Sequence, residues 1–151
     1  SKLRSDCVYE YVRFMKGWGF EMNLKDQMNG VQHVGVPTND IKTTIKFYEE
    51  LGFEIAFQTV NEAANEKVAF LKLGNLVIET YENKAAKMES GAIDHVAIDV
   101  KDIEKVHELV TAAGLNTTND EVHFLPFWEN GVKFFTIEGP NKEKVEFSQY
   151  L

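Results

Sequence analysis

Two histidines and two glutamates stand at related positions in this 151-residue chain. His33 and His95 each follow a polar residue, Gln32 and Asp94, and precede a short apolar run, Val34-Gly35-Val36 and Val96-Ala97-Ile98, 62 residues further on. Glu79 and Glu146 each lie in a later apolar segment, 67 residues apart. A lone histidine in an apolar strand is more often a structural residue than a ligand, and a lone glutamate near a strand end is usually solvated. Four such residues at repeat-equivalent positions read differently. Two neutral imidazoles and two carboxylates make a mixed nitrogen and oxygen set suited to a divalent cation, with room for water in an octahedral site. Two converging buried carboxylates without a cation would be costly.

The elements that must position them follow from the same repeat. The offset of 62 also places Asp40 on Asp102, Ile41 on Ile103 and Gly52 on Gly114. Asp40 and Asp102 are N-cap residue types, and Gly52 and Gly114 suit the left-handed position after a helix. Between them, Ile41, Ile45, Tyr48 and Leu51 form one helical stripe, and Ile103, Val106, Val110 and Ala113 form the other. Strands are expected near 53–59, 67–73 and 76–81 in the first half and near 115–118, 132–137 and 144–150 in the second. The longer second turn, Gly139-Pro140-Asn141, is expected to account for the growth of the offset to 67. Each half reads as a βαβββ module, so the fold class is α+β. The strand period puts Val34 and Val36 under the helix and His33 on the opposite face. Glu79 shares its face with Val77 and Tyr81, and Glu146 with Lys144 and Ser148.

The carriers of a wider likeness are His33-Val34-Gly35-Val36, Phe47-Tyr48-Glu49-Glu50-Leu51-Gly52-Phe53, Asp94-His95-Val96-Ala97, and Glu138-Gly139-Pro140-Asn141 leading to Val145-Glu146-Phe147. Over residues 30–151 the chain resembles the vicinal oxygen chelate superfamily. Its members include glyoxalase I, methylmalonyl-CoA epimerase, extradiol dioxygenases and drug-resistance proteins. The resemblance implies paired modules, residues 30–83 and 92–151, that form a cup-shaped sheet around a metal site. It implies His33, Glu79, His95 and Glu146 as ligands of a divalent ion (Ni, Zn, Co, Mn or Fe). It further implies a glyoxalase I-like lyase or isomerase that moves a proton next to a carbonyl, with Glu146 as the first choice of base and Glu79 as the second.

Occupied positions at all four ligands weigh against the dioxygenases, which use three, and against the metal-free bleomycin-binding proteins. The alternatives kept open are an enzyme like methylmalonyl-CoA epimerase, whose third-strand segment the stretch Lys67-Val68-Ala69-Phe70-Leu71-Lys72-Leu73-Gly74-Asn75 resembles, and a non-catalytic small-molecule binding protein. Typical glyoxalase I grips glutathione carboxylates with arginine. Both arginines here, Arg4 and Arg13, precede residue 30, so Lys133, Lys144 or backbone amides would have to serve. The resemblance implies a small-molecule substrate, with a thiol adduct among the expected forms.

His123, Phe127 and Trp128 are read as packing residues with a pocket role in second place. His107 is read as a partly exposed helical residue, and Tyr81 as a hydrogen-bond donor near Glu79. Residues 1–29 form an extension outside the repeat. There Val8, Tyr11, Val12, Met15 and Trp18 have near-helical spacing interrupted by Gly17 and Gly19, a segment expected to dock on the body or on a partner subunit.

The formal net charge of −8 argues against a protein that tracks nucleic-acid phosphates. No apolar run approaches the roughly 20 residues of a membrane span. A single cysteine, Cys7, allows no disulfide framework within the chain. A cytoplasmic homodimer is the expectation, with the modules pairing either within one chain or between two.

Overall fold

A computed structural model describes residues 24–27 and 29–151, and the helical spacing noted between Val8 and Trp18 lies outside the described residues. The chain divides into two units, Ser1–Gln32 and His33–Leu151. In the first, the described part consists of a 3-10 turn, Leu24–Gln27, and the irregular residues 29–32. Among the described residues no helix is long and apolar enough to cross a membrane.

The second unit repeats one series of elements. The first copy is β1 (Val34–Pro37), α1 (Ile41–Glu50), β2 (Glu54–Asn61), β3 (Glu66–Leu73) and β4 (Leu76–Tyr81). The second is β5 (His95–Asp99), α2 (Ile103–Ala112), β6 (His123–Leu125), β7 (Val132–Glu138) and β8 (Lys144–Tyr150). Two four-stranded mixed sheets result, ordered β1-β4-β3-β2 and β5-β8-β7-β6. The pairs β1·β4 and β5·β8 are parallel, the others antiparallel. This is the α+β fold of two βαβββ modules that the repeat predicts.

The helices start and stop where the repeat places them. Asp40 and Asp102 are extended, with φ of −146° and −145°, and accept from the amides of Thr43 and Lys105 at 3.2 and 3.0 Å. Such caps are worth about 1 kcal/mol each. A second acceptor serves each helix. Glu82 Oε2 accepts from the Ile41 amide and Gln149 Oε1 from the Ile103 amide, both at 2.8 Å. These residues lie just beyond Glu79 and Glu146, so each helix start is tied to its glutamate-bearing strand. Gly52 and Gly114 end the helices at φ of +96° and +74°, a conformation that suits glycine. Ile41, Thr44, Phe47 and Tyr48 bury one face of α1, and Ile103 and Val110 bury one face of α2. Ala113, expected in that second stripe, is instead exposed at the C-cap.

One core joins the helix-bearing sides of both sheets. Ala69, Leu71 and Ile78 from the first sheet belong to the same buried cluster as Phe135, Ile137, Val145 and Phe147 from the second. Val36 and Ile78 line a residual space of about 30 Å³ together with Val96, Ile98 and Val145. Two polar links cross between the modules. The Tyr48 hydroxyl donates to Glu143 Oε1 at 3.1 Å, and Asn141 Nδ2 donates to Thr44 Oγ1 at 3.0 Å. Burial pushes the Glu143 carboxyl above its ordinary range. Burial, reinforced by the charge of Glu143, pushes the Tyr48 phenol up as well.

The strand expected near 115–118 does not form. Asn116 is buried there and satisfies the loop with its side chain. Its Oδ1 accepts from the Asp120 amide at 3.0 Å, and its Nδ2 donates to the Asp120 carbonyl at 2.9 Å. Asp120 Oδ2 in turn accepts from the Thr136 amide at 2.8 Å. These bonds replace a ladder, and the pairing strand is the three-residue β6. The expected cause of the growing offset is corrected with it. Phe70 faces Glu79 and Thr136 faces Glu146, so the offset is already 66 at β7 and 67 at β8. Most of the added length therefore lies in the loop before β7, and the β7–β8 turn adds a single residue.

Candidate metal-binding half-sites

Alternation along the strands turns two faces away from the shared core. On the first sheet Val34, Val36 and Ile78 pack inward, which leaves His33, Gly35, Val77, Glu79 and Tyr81 on the outer face. On the second sheet Ile98, Val145 and Phe147 belong to the core and Val96 lines the space beside it, which leaves His95, Ala97, Glu146 and Ser148 outside. Gly35 stands opposite Glu79, and Ala97 opposite Glu146. A small residue beside each glutamate keeps the space over it open to the histidine two positions earlier.

Each histidine meets its glutamate. His33 Nε2 lies 3.1 Å from Glu79 Oε2, with its ring edge-on to Phe70 at 5.7 Å. His95 Nε2 lies 3.5 Å from Glu146 Oε2. His95 has a further partner, because its Nδ1 is 2.9 Å from Asp94 Oδ2. The Asp94 carboxyl is held below its ordinary range by the His95 bond first and by the Lys144 ammonium, 3.0 Å from Oδ1, second. A neutral His95 that donates through Nδ1 to this carboxylate presents the Nε2 lone pair towards Glu146.

The four residues do not meet as one set. Among the described residues no three of His, Cys, Asp and Glu gather in a metal-holding group. The shared core lies on the helix side of both sheets, so the His33–Glu79 and His95–Glu146 faces point away from it. Each pair alone has the right chemistry for half a site. Donors about 2.0–2.1 Å from a divalent ion and at right angles to one another are roughly 3 Å apart. The separations of 3.1 and 3.5 Å fit that spacing.

A cavity of about 430 Å³ opens over the second sheet, lined by His95, Asp99, Phe127, Trp128, Glu146 and Tyr150 among others. Phe127 and Trp128 are 54% and 74% exposed, which corrects the expectation that they pack in the core. Trp128 has φ of +63°, an uncommon conformation for a bulky residue. Its ring meets Tyr150 edge-on at 5.4 Å.

Other expected roles resolve by position. His123 pairs with Asp120 Oδ1 at 2.7 Å and leans on Phe134, a loop-packing role. Burial acts to raise the Asp120 carboxyl, but the bonds from His123 and the Thr136 amide outweigh it and hold it below the ordinary range. His107 is partly buried on α2, close to the Asp120 carbonyl at 2.7 Å. Lys133 turns to the helix side, where its ammonium meets Glu104 at 2.7 Å. It is therefore not placed to grip a substrate carboxylate. Tyr81 sets its ring beside Gly35. The residues that sequence reasoning missed are Asp94, Glu82 and Gln149. An aspartate directly before a candidate ligand histidine was the available signal for the first. For the other two it was side-chain acceptors at the same offset of 67 as the glutamates.

Residues 30–147 match the Glyoxalase/Bleomycin resistance protein/Dioxygenase superfamily, and the chain belongs to it. Over 124 residues it is 28% identical to the uncharacterized protein YwbC of Bacillus subtilis (strain 168), covering 79% of this chain and 96% of that one. A glyoxalase family protein from Enterococcus faecalis superposes with a TM-score of 0.64 at 22% identity, covering 81% of this chain and 98% of that one. The fosfomycin resistance protein FosX from Listeria monocytogenes, solved with Mn(II) and sulfate, superposes with a TM-score of 0.61 at 15% identity. That match covers 82% of this chain and 94% of the other. At these identities the two structures are alike in fold.

Proposed function

We propose that the protein is a divalent-metal enzyme of the glyoxalase I type, a lyase or isomerase that moves a proton between carbons next to a carbonyl of a small molecule. The observation that carries this reading is the pair of His–Glu contacts at repeat-equivalent positions, on two outward sheet faces. Because those faces point away from one core, a complete ligand set takes His33 and Glu79 from one chain and His95 and Glu146 from another. The working form is then a homodimer with two composite sites.

A bound divalent ion supplies Lewis-acid polarisation of the substrate oxygen. The chain's own residues do the rest. His33 and His95 are neutral nitrogen donors, and Asp94 orients the second of them. Glu146, the less exposed of the two glutamates at 17% against 26%, takes the proton from the carbon and returns it to the neighbouring one. Glu79 is the symmetry-related second choice. Neither histidine serves as the base, since its Nε2 is committed as a ligand. The aromatic lining of the cavity over the second sheet also favours a second reading, a small-molecule binding protein without turnover.

Metal separates the two readings. Protein purified without chelators should carry about one divalent ion per chain by elemental analysis. Reconstitution with nickel or cobalt should then give turnover of methylglyoxal with a panel of thiols. Ligand binding with no metal would leave the binding protein, and a metal-loaded chain inactive on every thiol would sink the glyoxalase reading.

A further inference from the structure

The cavity over the second sheet has a charge character that speaks to what enters it. Asp99 lies on the same outer face as His95 and Ala97, and it lines the cavity together with Glu146. Among the described residues no lysine or arginine lines the space. Two described lysines of the second sheet are already engaged. Lys144 is held by Asp94 at 3.0 Å, and Lys133 lies on the other face against Glu104 at 2.7 Å. On the outer face of the first sheet, Lys72 stands directly opposite Glu54.

The walls point the same way. Trp128 and Tyr150, 74% and 62% exposed, meet edge to face at 5.4 Å and leave flat aromatic surface towards the cavity. Aromatic faces carry negative charge density and attract cations, by about 0.5–2 kcal/mol depending on exposure. The left-handed backbone at Trp128 holds that large ring where the core does not need it. Strain of this kind persists where the surroundings impose it, commonly at ligand clamps.

We propose that this cavity selects a flat organic cation. Asp99 is the counter-charge, and Trp128 and Tyr150 are the wall on which the apolar part lies. The inference rests on reading the His95–Glu146 face as the substrate site, and it excludes a polyanionic thiol conjugate as the preferred occupant. Beyond the oxygen that the ion polarises, an anionic tail would meet the Asp99 carboxylate and two aromatic faces, with no lysine or arginine among the described lining residues to receive it.

Three probes of similar size test the inference on the full chain by calorimetry, with and without chelator: benzyltrimethylammonium, benzyl alcohol and benzoate. The cation should bind at least about tenfold more tightly than benzoate, a difference of about 1.4 kcal/mol. Asp99→Asn should remove most of that preference and leave benzyl alcohol unchanged. Trp128→Gly, whose backbone suits φ above zero, should weaken all three probes while thermal unfolding stays close to the parent. Benzoate bound as tightly as the cation, or a preference that survives Asp99→Asn, would overturn the proposal. A chain that prefers the cation yet carries no metal keeps this inference and removes the metal reading. A chain that carries metal and prefers benzoate does the reverse.

Discussion

Asp94 and His95, neighbours in sequence, are joined side chain to side chain at 2.9 Å, and the bond turns the other ring nitrogen of His95 towards Glu146. The residue before His33 is Gln32, which has no charge. The two half-sites are thus related by repeat, but an aspartate precedes the histidine in one and a glutamine in the other. Outer partners of this kind fix the tautomer and raise ligand basicity. Asp94→Asn is therefore expected to lower metal affinity about 10–100-fold, read by competition with a chromophoric chelator. Asp94 is exposed, so thermal unfolding should scarcely move. Unchanged affinity would remove Asp94 from the site.

Glu146→Gln should keep fold and metal while lowering kcat by about 10²–10⁴-fold, the usual contribution of a general base. The amide oxygen still coordinates, but it cannot accept the proton. If Glu79→Gln proves the more damaging of the two, the roles of the glutamates are exchanged.

Subunit mixing tests the composite site. His33→Ala and His95→Ala homodimers each lack one ligand at every site. A mixed dimer gathers both losses into one site and leaves the other intact. Random exchange should therefore restore about a quarter of the parental sites, measured as metal content and turnover after mixing. No recovery despite exchange proven by mass spectrometry would mean that each chain builds its own site.

Glu143 makes stability depend on pH in an unusual direction for a carboxyl. Its folded-state value is raised by burial from the ordinary 4.5. The contribution to stability is fully present below the unfolded value and is lost as pH rises through the folded one. The stability of the parent relative to Glu143→Gln should then increase as pH falls from 7 towards 5 in urea unfolding. An opposite slope would show that the bonds from Tyr48 and Asn141 dominate over desolvation.

Gly139 lies under that same carboxylate. A Cβ built there would run into the Glu143 side chain, which folds back over the turn to reach Tyr48 and the Asn141 amide. Gly139→Ala should destabilise the fold by about 1–3 kcal/mol, the range for overpacking. A neutral result in denaturant titration would mean that Glu143 swings aside freely.

Much of this was readable from residue types alone. Asp40 and Asp102 cap helices because their side chains need only local amides, and Gly52 and Gly114 end them because only local backbone geometry is involved. His33, Glu79, His95 and Glu146 fall on outer faces because a strand alternates. The misses share a different cause. Asn116 and Asp120 override a β-prone segment through bonds to residues as distant as Thr136. Lys133 finds Glu104 across a helix–sheet interface. Trp128 leaves the core through a backbone conformation that its type disfavours. Whether two modules turn their histidine faces together or apart is decided by which apolar surfaces mate, and both surfaces read alike in one dimension.

The common core and the Tyr48–Glu143 and Thr44–Asn141 links give the duplication a consequence for folding. A chain severed within residues 83–92 would strip the cover from Val36 and Ile78 on one side and from Ile98 and Val145 on the other. Neither half is then an autonomous domain, although each holds a complete strand and helix series. Residues 33–151 should melt as one cooperative body, with no plateau in which one module has lost its structure while the other persists.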